Sequence, residues 1–313
     1  MKKLIASISP HIFSKATTQS IMADVLIALA PAAIASVVLF GLKALIILVA
    51  CIGTCVVSEF LFNLLAKKQQ TVGDLSACVT GVILALSLPA TTQIWHCIVG
   101  SVFAIVVVKC LFGGIGSNFA NPAVTARVFL LVAFASNVAG GTLTNFQNPD
   151  LVASATPLEA IKMGETENLT PLFDMLIGNR SGAIGETCAV ALILGGLYLL
   201  VRKVIKWHTP VIFIGTVFVL SLIIKQDLTL ALYEVLGGGL LIGAIFMATD
   251  YSTTPINKYG KMVFGLGCGI ITVLIRFWGG YPEGVSFAIL LMNILSPYIE
   301  KLCAPKPFGK VGK

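Results

Sequence analysis

Residues 20–66 read SIMADVLIALAPAAIASVVLFGLKALIILVACIGTCVVSEFLFNLLA. Asp24, Lys43 and Glu59 are the ionisable Asp, Glu, Lys or Arg side chains in that stretch. A membrane crossing needs about 20 predominantly apolar residues, and the stretch supplies two, over 20–40 and 43–66. The same texture continues outward. Apolar runs cover 74–89, 94–112 and 121–138, and after a polar interval five more cover 186–203, 209–224, 229–249, 258–277 and 283–300. The predicted fold is an all-α integral membrane protein with about ten transmembrane helices.

The bulk composition agrees. Of 313 residues, 57% are hydrophobic and 11% charged, and mean hydropathy is +0.96. Soluble domains carry roughly 25% charged residues, so lipid must cover the surplus apolar surface. The net charge of +7 sits in short clusters between apolar runs, which membrane topology explains and nucleic-acid binding does not. Eight cysteines occur without a CxxC pair. They read as small buried side chains, and an iron–sulfur centre made by this chain alone is not expected. His11, His96 and His208 lack metal-ligand spacing, so no metal site is predicted. The start Met1-Lys2-Lys3 precedes no short apolar core with a cleavage site, so no removable signal peptide is expected.

Orientation follows from the basic residues. With the N-terminus inside, 16 of the 21 lysines and arginines fall on the inner side. Lys43, Lys162, Arg180, Lys225 and Arg276 fall outside. That bias places both termini in the cytoplasm and residues 139–185 on the outer face. Five spans on either side of 139–185 run in opposite senses, an inverted repeat of the kind that frames midplane pathways. The predicted parts are thus a five-helix half (1–138), an external loop (139–185) and a second five-helix half (186–313). Thr80-Gly81-Val82 echoes Ile242-Gly243-Ala244, and Asn121-Pro122 echoes Tyr281-Pro282, each Pro pair following a double glycine.

Two spans stand out. The third is short and begins at Asp74; the eighth carries Gly237-Gly238-Gly239 and then Gly243. Such glycines serve close packing or a helix break, and a break at membrane depth needs protein or a water-filled cavity to satisfy its backbone. Ionisable residues in spans are candidates for ion pathways. Asp24, Glu59 and Glu234 are those candidates, against the alternative of carboxylates that cap helix ends or reach water. Asp250 reads as an Asx-type turn, and Lys109 and Arg127 as topology charges.

The interval 139–185 is long for a connector, and such loops tend to be functional or disordered. Its centre reads Asn148-Pro149-Asp150-Leu151-Val152-Ala153-Ser154-Ala155-Thr156-Pro157-Leu158-Glu159-Ala160. Small residues surround a single threonine hydroxyl, which leaves room for a bulky partner; an ordinary capped turn is the alternative. The segment resembles the covalent flavin-attachment motif of the D subunit of the Rnf electron-transport complex and of the related B subunit of the sodium-pumping NADH:quinone oxidoreductase. In that motif an acid precedes Ser-Gly-Ala-Thr. Asp150 stands at the acid position and Thr156 at the acceptor, while Ala153-Ser154 replace Ser-Gly before the matching Ala155-Thr156-Pro157-Leu158. Further likeness lies in Ser9-Pro10-His11, in Gly113-Gly114-Ile115-Gly116-Ser117-Asn118, in Ala248-Thr249-Asp250-Tyr251 and in Tyr281-Pro282-Glu283-Gly284. It therefore spans essentially the whole chain, and the chain length favours Rnf.

The resemblance implies a urea-transporter-like scaffold in a bacterial inner membrane. It implies FMN held as a phosphate ester on Thr156, with Asp150, Ser154 and Ala155 in the attachment motif, and a second, non-covalent flavin, riboflavin. It implies partners bearing flavin and iron–sulfur centres, a flavin transferase during maturation, and Na⁺ or H⁺ as the ion moved. The activity would be that of a subunit in an ion-translocating ferredoxin:NAD⁺ oxidoreductase. With no nucleotide-binding fingerprint in the chain, the NAD⁺ site is expected on a partner. Two alternatives stay open: the B-type subunit, and a passive channel for a small solute.

Overall fold

A computed structural model describes residues 17–144, 153–164 and 169–304. Its first half contains α1 (Thr18–Phe40), α2 (Leu42–Leu65), α3 (Ser76–Leu86), α4 (Ile94–Val102), α5 (Pro122–Ala133) and α6 (Ala135–Val138). Helix α4 continues as a π-helix over Phe103–Cys110. Strands β1 (Gly141–Thr142) and β2 (Ala153–Ser154), with α7 (Pro157–Met163) and α8 (Leu172–Ile177), follow. The second half contains α9 (Ala189–Val201), α10 (His208–Lys225), α11 (Leu228–Leu236), α12 (Leu240–Ile242), α13 (Lys258–Trp278) and α14 (Val285–Leu302). Helix α12 passes into a second π-helix over Gly243–Met247.

Every apolar run read from the sequence is helical, but not every helix is by its own length and composition enough for a span. Among the described residues five helices are long and apolar enough to cross a bilayer: α1, α2, α10, α13 and α14. A sixth candidate is the pair Leu228–Leu236 and Leu240–Met247, bent by 60°. The other four apolar helices are shorter: Ser76–Leu86, Ile94–Cys110, Pro122–Ala133 and Ala189–Val201. Short helices suit the interior, where neighbours rather than lipid satisfy their ends. Helix α3 is buried over nearly its whole length, whereas α2 and α10 expose Leu42, Val49, Leu64, Val211 and Ile223. An apolar outside around an apolar inside marks a membrane protein.

Local chemistry sets the helix ends. Asp74 Oδ1 accepts the Ser76 N–H at 2.8 Å and starts α3. Asn121 caps α5 by accepting from Ala123 N at 3.0 Å, with Pro122 at the first helical position. The eighth run breaks at Gly237-Gly238-Gly239, one of the two readings its glycines left open: φ is +63° at Gly238 and +65° at Gly239, values that favour glycine. The third run is continuous, so it differs from the eighth in this respect.

Candidate functional site

Outside the bundle, a small cap holds the threonine segment. Strands β1 and β2 pair antiparallel, with Gly141 opposite Ser154 and Thr142 opposite Ala153. Gly141 fits because a Cβ there would meet Ser181 Oγ at 2.5 Å and Gly182 N at 2.7 Å. The pairing delivers Ala155 and Thr156 directly to the start of α7. Thr156 is its N-cap: Oγ1 accepts from Glu159 N at 3.2 Å, and Thr156 N donates to Glu159 Oε2 at 3.4 Å. This reciprocal box satisfies two otherwise orphan donors. Lys162 of α7 donates to the Gly279 carbonyl at 2.6 Å and the Tyr281 carbonyl at 3.1 Å. Leu158 is buried against Gly237 and Gly238. The cap is thus seated on the broken span.

Thr156, Ser154, Ala155 and Ala160 line an open cleft of about 180 Å³. Thr156 Oγ1 accepts a hydrogen bond but donates none to a described residue. Replacing its hydrogen with phosphorus would break no bond seen here and would leave the capping lone pair in use. The residues present fit a phosphate ester. Asp150 lies outside the described residues.

The three candidate acids all have basic partners from other helices. Glu59 of α2 is fully buried, and its Oε1 receives Lys109 Nζ at 2.7 Å and Thr71 Oγ1 at 2.6 Å. Lys109 also donates to Ser76 Oγ at 2.5 Å, and Ser76 to Asp74 Oδ1 at 2.5 Å. Glu234 of α11 pairs with Arg276 of α13 at 3.0 Å. Arg276 further donates to the carbonyls of Gly237 at 3.1 Å and Gly238 at 3.3 Å. Carbonyls freed by the helix break are therefore taken up by an arginine. Asp24 of α1 accepts from Tyr198 at 2.9 Å and from Arg202 at 3.1 and 3.2 Å, near the bundle edge. The expectation that Glu59 and Glu234 reach water at helix ends is corrected: both are interior ion pairs.

Lys109 and Arg127 are corrected likewise. Each is 2% exposed, so neither is a topology charge in water. Arg127 reaches the Val138 carbonyl at 3.1 Å and Glu283 Oε2 at 3.5 Å. Arg180, fully buried, donates to the carbonyls of Glu186 and Leu236, both at 2.8 Å. Sequence reasoning missed Glu186 and Glu283 as interior acids. The available signal was the set of arginines inside or beside apolar runs, since a buried cation demands a partner.

On the opposite side a cavity of about 90 Å³ is lined by Ser76, Thr80, Lys109, Asn118, Asn121, Thr249 and Asp250, among apolar neighbours. Asn118 Oδ1 is buried there without a partner among the described residues. Asp250 forms the Asx turn read from the sequence, accepting from Ser252 N at 3.2 Å and Thr253 Oγ1 at 3.1 Å. Burial pushes its carboxyl up, against those hydrogen bonds.

The chain matches the NQR2, RnfD, RnfE family over residues 5–309. It is 43% identical to the D subunit of the Na⁺-translocating ferredoxin:NAD⁺ oxidoreductase complex of Acetobacterium woodii, over 98% of this chain and 95% of the relative. It is 38% identical to the D subunit of the proton-translocating ferredoxin:NAD⁺ oxidoreductase complex of Clostridium ljungdahlii, over 99% and 98%. The D subunit of an ion-translocating oxidoreductase complex of Vibrio cholerae is 34% identical over 99% of this chain and 100% of the relative. The extent of these matches and the helical membrane bundle lead to one assignment: the chain belongs to the NQR2, RnfD, RnfE family.

Proposed function

We propose that this chain is the D subunit of an ion-translocating ferredoxin:NAD⁺ oxidoreductase complex, carrying FMN as a phosphate ester on Thr156. The observation that carries the flavin assignment is the Thr156 hydroxyl, 2% exposed in the cleft wall, capping α7 with its proton given to no described residue. Bound FMN would supply one- and two-electron redox chemistry; the protein supplies position and electrostatics. Ser154 and Ala155 add little bulk beside the hydroxyl, while the β1–β2 pair and the Lys162 contacts fix α7 against the bundle. Asp150 completes the attachment motif. Partner subunits bear the remaining flavin and iron–sulfur centres and the NAD⁺ site, and a flavin transferase makes the ester.

The inner cavity is the proposed place for a second, non-covalent flavin such as riboflavin, for which its walls would have to part, since cofactor sites run to about 300–1,000 Å³. Lys109, Asn118, Asn121 and Asp250 offer donors and acceptors at its wall, and Asn118 Oδ1 lacks a partner among the described residues. Asp24, Glu59 and Glu234 are the proposed stations for Na⁺ or H⁺, each poised against a basic side chain that would have to yield. The proposed membrane arrangement keeps both termini in the cytoplasm, residues 139–185 outside, and inverted halves at 1–138 and 186–313. Setting aside the buried Lys109, Arg127, Arg180 and Arg276 leaves fourteen basic residues inside and three outside, so the bias does not depend on those four charges.

Intact mass of the mature protein tests the flavin. One FMN should be present in wild type and absent in Thr156→Asn, which keeps an N-cap side chain but has no hydroxyl to esterify. A bare wild-type chain from native membranes overturns the flavin reading and favours the solute-channel alternative.

A further inference from the structure

The outer end of the bundle gathers Arg127, Arg180 and Arg276 with Glu186, Glu234 and Glu283. The side-chain hydrogen bonds these arginines make go mostly to backbone carbonyls, those of Glu234, Leu236, Gly237 and Gly238 in the broken span and those of Val138 and Glu186 beside it. Arg180 Nε and Nη1 are buried without a partner among the described residues. Only Glu234 gains a short pair from this arrangement. Glu186 Oε1 stands 3.8 Å from Arg180 Nη2, and Glu283 Oε2 stands 3.5 Å from Arg127 Nη2. Glu186 is 4% exposed, yet its carboxylate accepts no hydrogen bond from the described residues. Both carboxylates line one cavity of about 20 Å³, beside Arg127, Ser87, Gly238 and Gly239. A cavity above about 10–15 Å³ holds a water if polar partners are present. A second cavity of about 20 Å³, bounded by Gly140 and Tyr281, also touches Glu283. Glu283 therefore stands between an inner chamber and one beside the external cap.

Glu283, its side chain 20% exposed, accepts one long hydrogen bond from Arg127 at 3.5 Å, and Glu186 accepts none from the described residues. Carboxylates so poorly satisfied are costly, and a proton relieves them. We propose that Glu283 and Glu186 form a proton-exchange site, in which Glu283 takes and releases a proton through the cavity and Glu186 sets its affinity. The step is acid–base only: the Glu283 O–H bond breaks, the proton passes to a water, and the carboxylate is left facing Arg127. The charged groups facing Glu283 are Arg127 from α5, Arg276 from α13, and Arg180 and Glu186 from the segment before α9. Tyr281 lies on its own segment, and α14 adds only Val285 and Ser286 to the shared cavity. Burial, then the negative charge of Glu186, push the Glu283 carboxyl up to about 7, against the two arginines. Proton transfer is most efficient when the group titrates near the working pH.

Infrared difference spectra of the full chain in lipid nanodiscs, titrated with pH, test this without any flavin. A protonated-carboxyl band should titrate near pH 7 and vanish in Glu283→Gln. In Glu186→Gln the midpoint should fall by roughly one pH unit or more, because a like charge is removed. Absence of any band titrating between about pH 6 and 8, or a midpoint indifferent to Glu186→Gln, overturns the site. Should Glu283→Gln fail to fold, the Glu186→Gln midpoint alone decides. The outcome is separable from the FMN assignment, since Thr156→Asn should leave the band in place.

Discussion

Arg276 binds Glu234 and two glycine carbonyls with one guanidinium. Removing one partner of a buried ion pair typically costs about 3–5 kcal/mol, because the other charge is left uncompensated. Arg276→Met is therefore expected to destabilise by that amount, and adding Glu234→Gln should recover part of the loss. A thiol-reactive dye can follow unfolding, since Cys51, Cys55, Cys97, Cys110 and Cys268 are buried and free. Asp24 offers a contrast. Its partner Arg202 has a side chain 56% exposed, and exposed pairs are worth about 0–1 kcal/mol. Arg202→Met should scarcely move the unfolding temperature in the same assay. At this scale the sequence singled out Asp24, Glu59 and Glu234 in apolar runs and passed over Glu186 and Glu283 at the start of two others; pairing joins residues as far apart as Arg127 and Glu283, and no local pattern encodes that.

Close packing between elements depends on a few glycines. Gly195 sets α9 against α1: a Cβ there would collide with the Ala28 carbonyl and Phe246. Gly53 of α2 faces open space, with nothing within 4 Å of an added Cβ. Gly195→Ala should destabilise, whereas Gly53→Ala should stabilise by about 0.5–1 kcal/mol through lower unfolded-chain entropy; thermal unfolding in detergent reads both. Gly238 is constrained twice, by φ of +63° and by the nearness of Leu158 and Arg276 Nη2. The helix break was legible because three consecutive glycines and a long apolar run conflict. The shortness of α3 was read from its run; that of α5 and α9 was not, because hydropathy reports that a residue is apolar, not whether lipid or protein surrounds it.

For the whole molecule, the proposed topology puts the α7 cap and the α13 start on opposite faces of the membrane. Met163 and Tyr259 are 67% and 71% exposed, so both suit labelling. In intact cells a membrane-impermeant maleimide should modify Met163→Cys, and Tyr259→Cys only after permeabilisation; the reverse pattern would invert the topology. The helical membrane class was readable from composition and the length of the apolar runs. The flavin segment was readable only as a resemblance, since one threonine among small residues also makes an ordinary helix cap, and here it is such a cap.

The wide-turned stretch Phe103–Cys110 closes its backbone ladder five residues apart, as between Leu111 N and Val106 O at 3.0 Å. Deleting Val106 would let an ordinary α ladder form through the stretch. An extra residue taken up as a wide turn leaves the helix beyond it near its α-helical bearing, so Lys109 would keep its carboxylate. Deleting a residue from the α-helical part, Ile94–Val102, would instead turn its ammonium by about 100° toward a different neighbour. The spacing between Ile94 and Phe103 is thus as binding a requirement as the identity of the lysine, and related chains that keep this lysine should take their gaps in the wide turn.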